Sequence, residues 1–385
     1  MAAAALARAG QAVILFDEKL AWEKPCGGGL THKALAQWPF LSDAGVAHNW
    51  VRDCELIGPS GRRVSFPLNQ PIAIFSRCVL NGLLLDRARR AGAQIVRDHV
   101  RGLSRVSGGW RVQARTGDCD AAHVVIAAGA RTLLRAQLSE PFHRDDLMAT
   151  AGYYIPGQSH RMQIQFLGNV HGYIWVFPRL DHYSAGICGK LNGQTTADLR
   201  RVLERWLTQE GLNFANTSFF SHVLPSLRAR TLRRNHVSGD GWSLVGDAAG
   251  FVDPITGEGL YYAMRSAELL SQALLARKTE AYAQLLRKDF LPELYTAARV
   301  ADRFYGGHWM GQPVIERMLQ FTHNSASFRG VMCDLFAGTQ GYTSLRKRLY
   351  RSLPAMLAES LGNTLRLPNR RSGLDTPQSL SRRDL

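Results

Sequence analysis

The chain lacks any run of 18 or more apolar residues, which excludes a transmembrane helix of ordinary length. It has six cysteines, at 26, 54, 78, 119, 188 and 333, and none forms a C-x-x-C pair. That spacing excludes a disulfide framework and a structural zinc site, and it fits a reducing cytosol. The first ten residues have no basic segment before their apolar part and carry Arg8 inside it, so they do not read as a secretory signal. No internal repeat is present. Acidic residues are scarce, 31 against 47 Lys and Arg, for a net charge of +16. The basic residues are spread along the chain with no nucleic-acid-binding motif, so nucleic acid is not an expected partner. Arginine-rich composition accounts for the charge, and attraction to an anionic membrane surface or a phosphate-bearing substrate is the sharper reading. The expected location is the cytoplasm, with peripheral contact at the inner face of the membrane. What is present is ordinary globular composition, 45% hydrophobic and 20% charged, over a length that supports two domains with full cores.

Residues 2–9 read as an Ala/Leu helix stopped by Gly10. Val13 to Phe16 is a short apolar strand that ends in Asp17-Glu18. Helix, glycine, strand and acid make the second half of a dinucleotide-binding βαβ unit, with Asp17 placed to bind ribose hydroxyls. The strand and G-x-G-x-x-G loop that should precede them do not occur. Either the start is assigned too far downstream or the chain is genuinely truncated, and the first is favoured because removing a central parallel strand exposes apolar neighbours and open edges.

The most informative stretch is Leu244 to Leu260, LVGDAAGFVDPITGEGL. It reads as a strand end, a Gly-Asp turn, a Pro-containing loop and a Gly-x-Gly entry into a helix. Asp247 on a tight turn suits hydroxyl groups, and Gly257 and Gly259 allow backbone to approach a flat ring. The helix beginning near Leu260 presents free N–H groups and a positive dipole end. Together these are the parts that hold the ribityl chain and the ring of a flavin, whose reduced form is negative at its pyrimidine end.

Elsewhere, Lys24-Pro25-Cys26-Gly27-Gly28-Gly29 is a backbone built for close contact or a sharp bend. Residues 50–75 read as short strands with Gly-Pro turns, and Arg77 stands just ahead of a helix over 80–91. Strands follow at 94–100, 103–106 and 110–115, and 124–127 reads as a buried parallel strand. Residues 151–189 alternate and predict antiparallel strands. Within them Tyr173, Trp175 and Phe177 share one face, which fits either a packed aromatic core or the wall of an apolar substrate cavity. A helix is expected over 198–207, with Thr195 or Thr196 at its cap. Residues 281–365 read as helical, with a basic cluster at 346–351 that fits a solvated face or a membrane-facing one. Residues 366–385 read as a disordered tail.

Four stretches, VILFDE at 13–18, KPCGGG at 24–29, YIWVFP at 173–178 and GDAAGFVDPITGEGL at 246–260, occur in the order found in the geranylgeranyl reductase family. With FAGTQGY at 336–342, the chain resembles that family over nearly its whole length, within the p-hydroxybenzoate hydroxylase-like flavoproteins. It departs at Ala128-Gly129, where the group often has Asp-Gly, and at Gly186-Ile187-Cys188-Gly189, where Gly-x-Gly is usual. The resemblance implies an α/β fold: a Rossmann-like FAD domain, truncated at its N-terminus, an antiparallel-sheet substrate domain and C-terminal helices. The segments expected are 1–49, 73–150 and 235–290 for the first, 50–72 and 151–234 for the second, and 291–365 for the third. The resemblance further implies that Asp17 holds the adenosine ribose, Arg77 the pyrophosphate side, and the backbone near Val100 the adenine. Gly246 and Asp247 would meet the ribityl chain, and Pro254, Gly257, Gly259 and Leu260 would border the ring. Cys26 would lie at the reactive side, with Tyr173, Trp175 and Phe177 lining a lipid cavity. The activity implied is FAD-dependent reduction of prenyl carbon–carbon double bonds, a CH–CH oxidoreductase fed by NADPH or a ferredoxin. The alternatives are an FAD monooxygenase or halogenase of the same fold and a truncated lipid binder without catalysis.

Overall fold

The computed structural model describes residues 1–365 except 44, 192, 193 and 310. The tail expected at 366–385 lies outside the described residues. The chain opens with α1 (Ala2–Arg8) and β1 (Ile14–Phe16), then β2 (Gly29–Leu30), α2 (His32–Gln37), β3 (Asn49–Ile57) and β4 (Arg63–Ile74). Next come α3 (Arg77–Arg90), β5 (Gln94–Val96), β6 (Val100–Val106), β7 (Gly109–Ala114), β8 (Asp118–Ala121), β9 (Val124–Ile126) and α4 (Leu133–Ala136). The helix expected over 80–91 thus begins three residues earlier. Its first-turn amides find an acceptor in the Glu23 carboxylate, reached by Arg77 N at 2.8 Å, and no residue near 77 signals that acceptor.

The second half of the chain supplies β10 (Leu147–Pro156), β11 (Arg161–Phe166), β12 (Gly172–Pro178), β13 (His182–Gly189), α5 (Thr196–Gln209) and β14 (Ser218–Pro225). Then follow α6 (Ala229–Arg234), β15 (Ser238–Gly239), β16 (Trp242–Leu244) and α7 (Leu260–Leu275). The C-terminal helices are α8 (Ala281–Lys288), α9 (Leu291–Gly306), α10 (Val314–Asn324), α11 (Ala326–Ala337) and α12 (Tyr342–Leu365).

Eight strands form one large sheet in the order β14-β10-β13-β12-β11-β3-β4-β2. Its pairs are antiparallel except β11 with β3, which run parallel and bring 161–165 beside 53–57. Alternation alone does not distinguish these pairings, because a half-buried strand has period two in either direction. Gly29–Leu30 and the start of β10 are hydrogen-bonded into this sheet. One face of the sheet carries Ile174, Val176 and Ile187 and is covered by Leu199, Leu203 and Leu207 of α5. Thr195 and Asp198 close a capping box at the start of α5. The opposite face carries Tyr173, Trp175 and Phe177 beside Phe220 and Tyr154.

The parallel layer is in two pieces. β1 pairs with β5, and β9 pairs with β16, each in parallel. Among the described residues no strand pairs with the remaining edge of β1, where Ile14 is 45% exposed. The main core lies between this layer and α7, with Leu244, Tyr261, Leu270, Tyr282 and Leu294 buried together.

Candidate active site

The turn after β16 organises the site. Gly246–Ala249 forms a 3-10 turn, and Gly246 N donates to Ser266 Oγ of α7 at 3.1 Å. Asp247 points toward Lys24, whose Nζ lies 3.4 Å from Asp247 Oδ2. This ion pair joins the KPCGGG loop to the Gly-Asp turn across more than 200 residues of sequence. The chain then passes through buried Asp253 and Pro254, Gly257 and Gly259 to Leu260, the first residue of α7. No side chain caps the first amides of α7, so they stay available to a ligand.

Three tyrosines hold the loop before α7. Tyr173 donates to Thr256 O, Tyr305 donates to Ile255 O, and Tyr342 donates to Asp253 Oδ2 at 2.8 Å. They come from β12, α9 and α12. Gly257 has φ +70°, and a Cβ there would stand 2.7 Å from the Tyr173 hydroxyl. The position therefore accepts only glycine without strain. Asp253 also accepts from Ile255 N at 2.8 Å, and its burial pushes the carboxyl above the usual range. Burial also raises Glu258, to about 7, against the opposing pull of nearby Lys33.

The Cys26 loop is fixed from the large sheet. Arg179, whose side chain is 2% exposed, donates to Cys26 O at 2.9 Å and to Glu23 Oε1 at 2.6 Å. Ser184 Oγ donates to the same Cys26 carbonyl at 2.9 Å, and Trp175 Nε1 donates to Ser184 Oγ at 3.3 Å. Gly27 lies so close to Phe177 that a Cβ would be 2.6 Å from the ring. Gly28 N donates to Cys26 Sγ at 3.3 Å. The two motifs 24–29 and 173–178 are thus one packed unit. Trp175 is buried in it, while Tyr173 and Phe177 are half-buried.

Arg77 is buried at the start of α3, and among the described residues its guanidinium donates only to Asn81 Oδ1, at 3.1 and 3.4 Å. His222 of β14 has a buried Nε2 without a partner. Burial first, then the positive charge of Lys24, pushes this imidazole down to about 4, with Asp247, Arg77 and Arg131 as further charged neighbours. Asp17 is exposed at the end of β1 and accepts from Lys19 N at 2.7 Å and Leu20 N at 2.6 Å through Oδ1. Val100 opens β6 and packs in the same small cluster as Phe16, so it lies on the Asp17 side.

The residues chosen from sequence therefore fall in two groups. Asp247, Gly257, Gly259, Leu260, Cys26 and the aromatic strand face surround one end, and Asp17 and Val100 lie together at another. Glu23, Arg179 and His222 lie outside the motifs of the sequence. Glu23 directly precedes KPCGGG and Arg179 directly follows YIWVFP, so opposite charges flanking the two motifs were the available signal. Tyr342 ends the FAGTQGY stretch, where no role was legible.

The family described as FAD dependent oxidoreductase matches residues 79–277, more than half of the chain. The chain belongs to this family. It is 24% identical over 368 residues to the chloroplastic geranylgeranyl diphosphate reductase of Oryza sativa subsp. japonica, covering 87% of this chain and 75% of that protein. It is 28% identical over 337 residues to the menaquinone reductase of Mycolicibacterium smegmatis, covering 78% and 80%. The crystal structure of a geranylgeranyl bacteriochlorophyll reductase-like protein from Thermoplasma acidophilum shares the fold, with TM-score 0.74, 20% identity and coverage of 91% and 95%. The protein is an FAD-dependent oxidoreductase distantly related to prenyl-lipid reductases. The residues present fit the cofactor. Among the described residues, the buried Arg77 guanidinium has no anion, the His222 Nε2 has no partner and no side chain caps α7, so each could take a polar group of the cofactor.

Proposed function

We propose that the protein reduces carbon–carbon double bonds of a prenyl chain on a lipid or lipid-like molecule. The observation that carries this reading is the contact between the Cys26 loop and the Tyr173–Phe177 strand face, directly beside the Gly257 loop. An aromatic surface at that point favours an apolar chain by removing it from water. The related reductases named above act on prenyl lipids according to their names, which supports the same class of substrate.

Bound and reduced, FAD supplies a hydride equivalent to one carbon of the double bond. The chain's own residues orient and protonate. Asp247 would hold the ribityl hydroxyls, with Gly246 beside it. Pro254, Gly257, Gly259 and Leu260 would border the ring, and the α7 amides would face its pyrimidine end. Arg77 would meet the diphosphate, Asp17 the ribose, and the backbone at Val100 the adenine. The tyrosine-held loop and the Cys26 loop would exclude water from between them once the cofactor is bound. Cys26 Sγ is the proton donor in this reading, passing its proton to the second carbon, and the Gly28 N–H already directed at Sγ steadies the thiolate left behind. The thiolate is reprotonated from solvent, and two electrons enter for each bond reduced, from NADPH or a ferredoxin.

The test is anaerobic. FAD-loaded protein is reduced chemically and mixed with geranylgeranyl diphosphate or menaquinone. Return of the oxidised flavin band, with a mass gain of two hydrogens per bond in the lipid, is the expected outcome. A flavin band that returns only with oxygen, with an oxygen atom gained by the product, would replace this reading with a monooxygenase. Cys26→Ser should slow the reduction while leaving flavin binding unchanged.

A further inference from the structure

A second charged site lies behind the Asp247 turn. Arg135 of α4 is 3% exposed, and its guanidinium donates to Glu140 O at 2.8 Å, Ala248 O at 2.8 Å and Asn235 Oδ1 at 2.9 Å. The Phe142 ring lies 3.9 Å away. Every acceptor is neutral. Arg179, equally buried, has the Glu23 carboxylate, whereas Arg135 has no carboxylate partner among the described residues. The exposed Glu140 carboxylate attracts this guanidinium without forming an ion pair with it, burial of the cation remains costly, and five N–H groups are not exhausted by three acceptors.

Arg135 borders a cavity of about 240 Å³ that Arg228, Arg230, Arg234 and Thr231 also line. Arg228 is neutralised, by Asp145 at 2.7 Å and Asp146 at 3.1 Å. Thr231 Oγ1 donates to Asp146 at 3.0 Å, so that carboxylate is fully engaged. Arg230 and Arg234 are exposed and form no ion pair among the described residues. Glu140, the other carboxylate lining the cavity, is exposed as well. Three guanidinium groups without carboxylate partners therefore border one cavity large enough for a diphosphate. Planar guanidinium groups match phosphate oxygens in pairs.

We infer that this cavity is a binding site for a phosphate or diphosphate group, separate from the place where Arg77 would meet FAD. Arg135 supplies the fixed buried charge, and Arg230 and Arg234 supply the mobile contacts. The site is tied to the cofactor turn, because Arg135 donates to Ala248 O and Asn235 Nδ2 donates to Ala249 O at 2.7 Å. The group bound is either the head of a phosphorylated lipid or a free phosphate compound.

Calorimetric titration of the FAD-loaded full chain with inorganic pyrophosphate tests the inference. The expected result is saturable binding that weakens at least about tenfold in Arg230→Ala/Arg234→Ala, since two charge-assisted contacts are lost. Both residues are exposed, so the variant keeps its fold. Arg77→Met should leave this binding intact. Geranylgeranyl diphosphate identifies the source: tighter binding than pyrophosphate, lost in the same double variant, assigns a lipid head group, and equal binding assigns a free phosphate compound. No binding, binding unchanged in the double variant, or binding abolished only by Arg77→Met would overturn the proposal.

Discussion

The two loops that meet at the candidate site are held by different forces. The Cys26 loop is clamped by charge: Arg179 and Glu23 form an ion pair with almost no solvent on the arginine side, and the arginine continues to the Cys26 carbonyl. The 253–258 loop is held by tyrosine hydroxyls from three separate elements, two bound to backbone carbonyls and one to Asp253. A buried ion pair is nearly all-or-none, because removing one partner strands the other. Separate hydroxyl contacts fail one at a time, each at modest cost. The first arrangement suits a loop that must keep one position, and the second tolerates small adjustment.

The largest effect should come from Glu23→Ala. It leaves Arg179 without a carboxylate and also removes the acceptor at the start of α3. A loss of about 3–5 kcal/mol is expected in urea unfolding. Arg179→Met combined with Glu23→Gln should recover most of it, since no stranded charge remains. A cost below about 1 kcal/mol for Glu23→Ala would show that the loop is not held by charge.

Tyr342→Phe should cost about 2 kcal/mol, because it removes a contact to a carboxylate, and Tyr305→Phe about 1 kcal/mol. Gly257→Ala should cost about 1–2 kcal/mol from its backbone conformation alone. Its methyl group also meets the Tyr173 hydroxyl, so Tyr173→Phe should relieve part of the defect. Flavin fluorescence quenching on titration with FAD reports whether the loop still accepts the ring. Equal defects with and without Tyr173→Phe would mean the strain is in the backbone only.

The last comparison is one of pH dependence. Glu258, raised to about 7, keeps a proton in the fold that the unfolded chain has already released. Its contribution to stability is full below the ordinary carboxylate value and is lost as pH rises through about 7. His222, pushed down to about 4, acts in the opposite sense, and its contribution is lost as pH falls from the ordinary imidazole range through about 4. Glu258→Gln should therefore flatten the decline in stability toward pH 7, and His222→Gln should flatten the decline toward pH 4. Urea midpoints measured from pH 4 to 8 separate the two, and slopes identical to the parent in both variants would refute the assignment.

Much of the site was legible in short stretches. The turn at 246–250, the start of α7 at Leu260 and the shared face of Tyr173, Trp175 and Phe177 follow from spacing and residue type alone. The capped start of α5 is legible only to within a residue, Thr195 or Thr196, and the capping box with Asp198 decides for Thr195. The start of α3 is not legible locally, because its acceptor, Glu23, lies 54 residues away. The parallel β11–β3 pairing was not visible either, since alternation reports burial and not direction.

By itself the sequence determined which segments form elements, which strand face is aromatic and where the backbone can come close to a flat ring. These depend on periods of two and 3.6 residues and on glycine, which act within a few positions. Only the tertiary structure decided that Arg179 meets Glu23, that three tyrosines converge on one loop and that Arg135 is buried with no ion pair among the described residues. Those pairings join residues tens to hundreds of positions apart, and their strength depends on how much water the surrounding fold excludes.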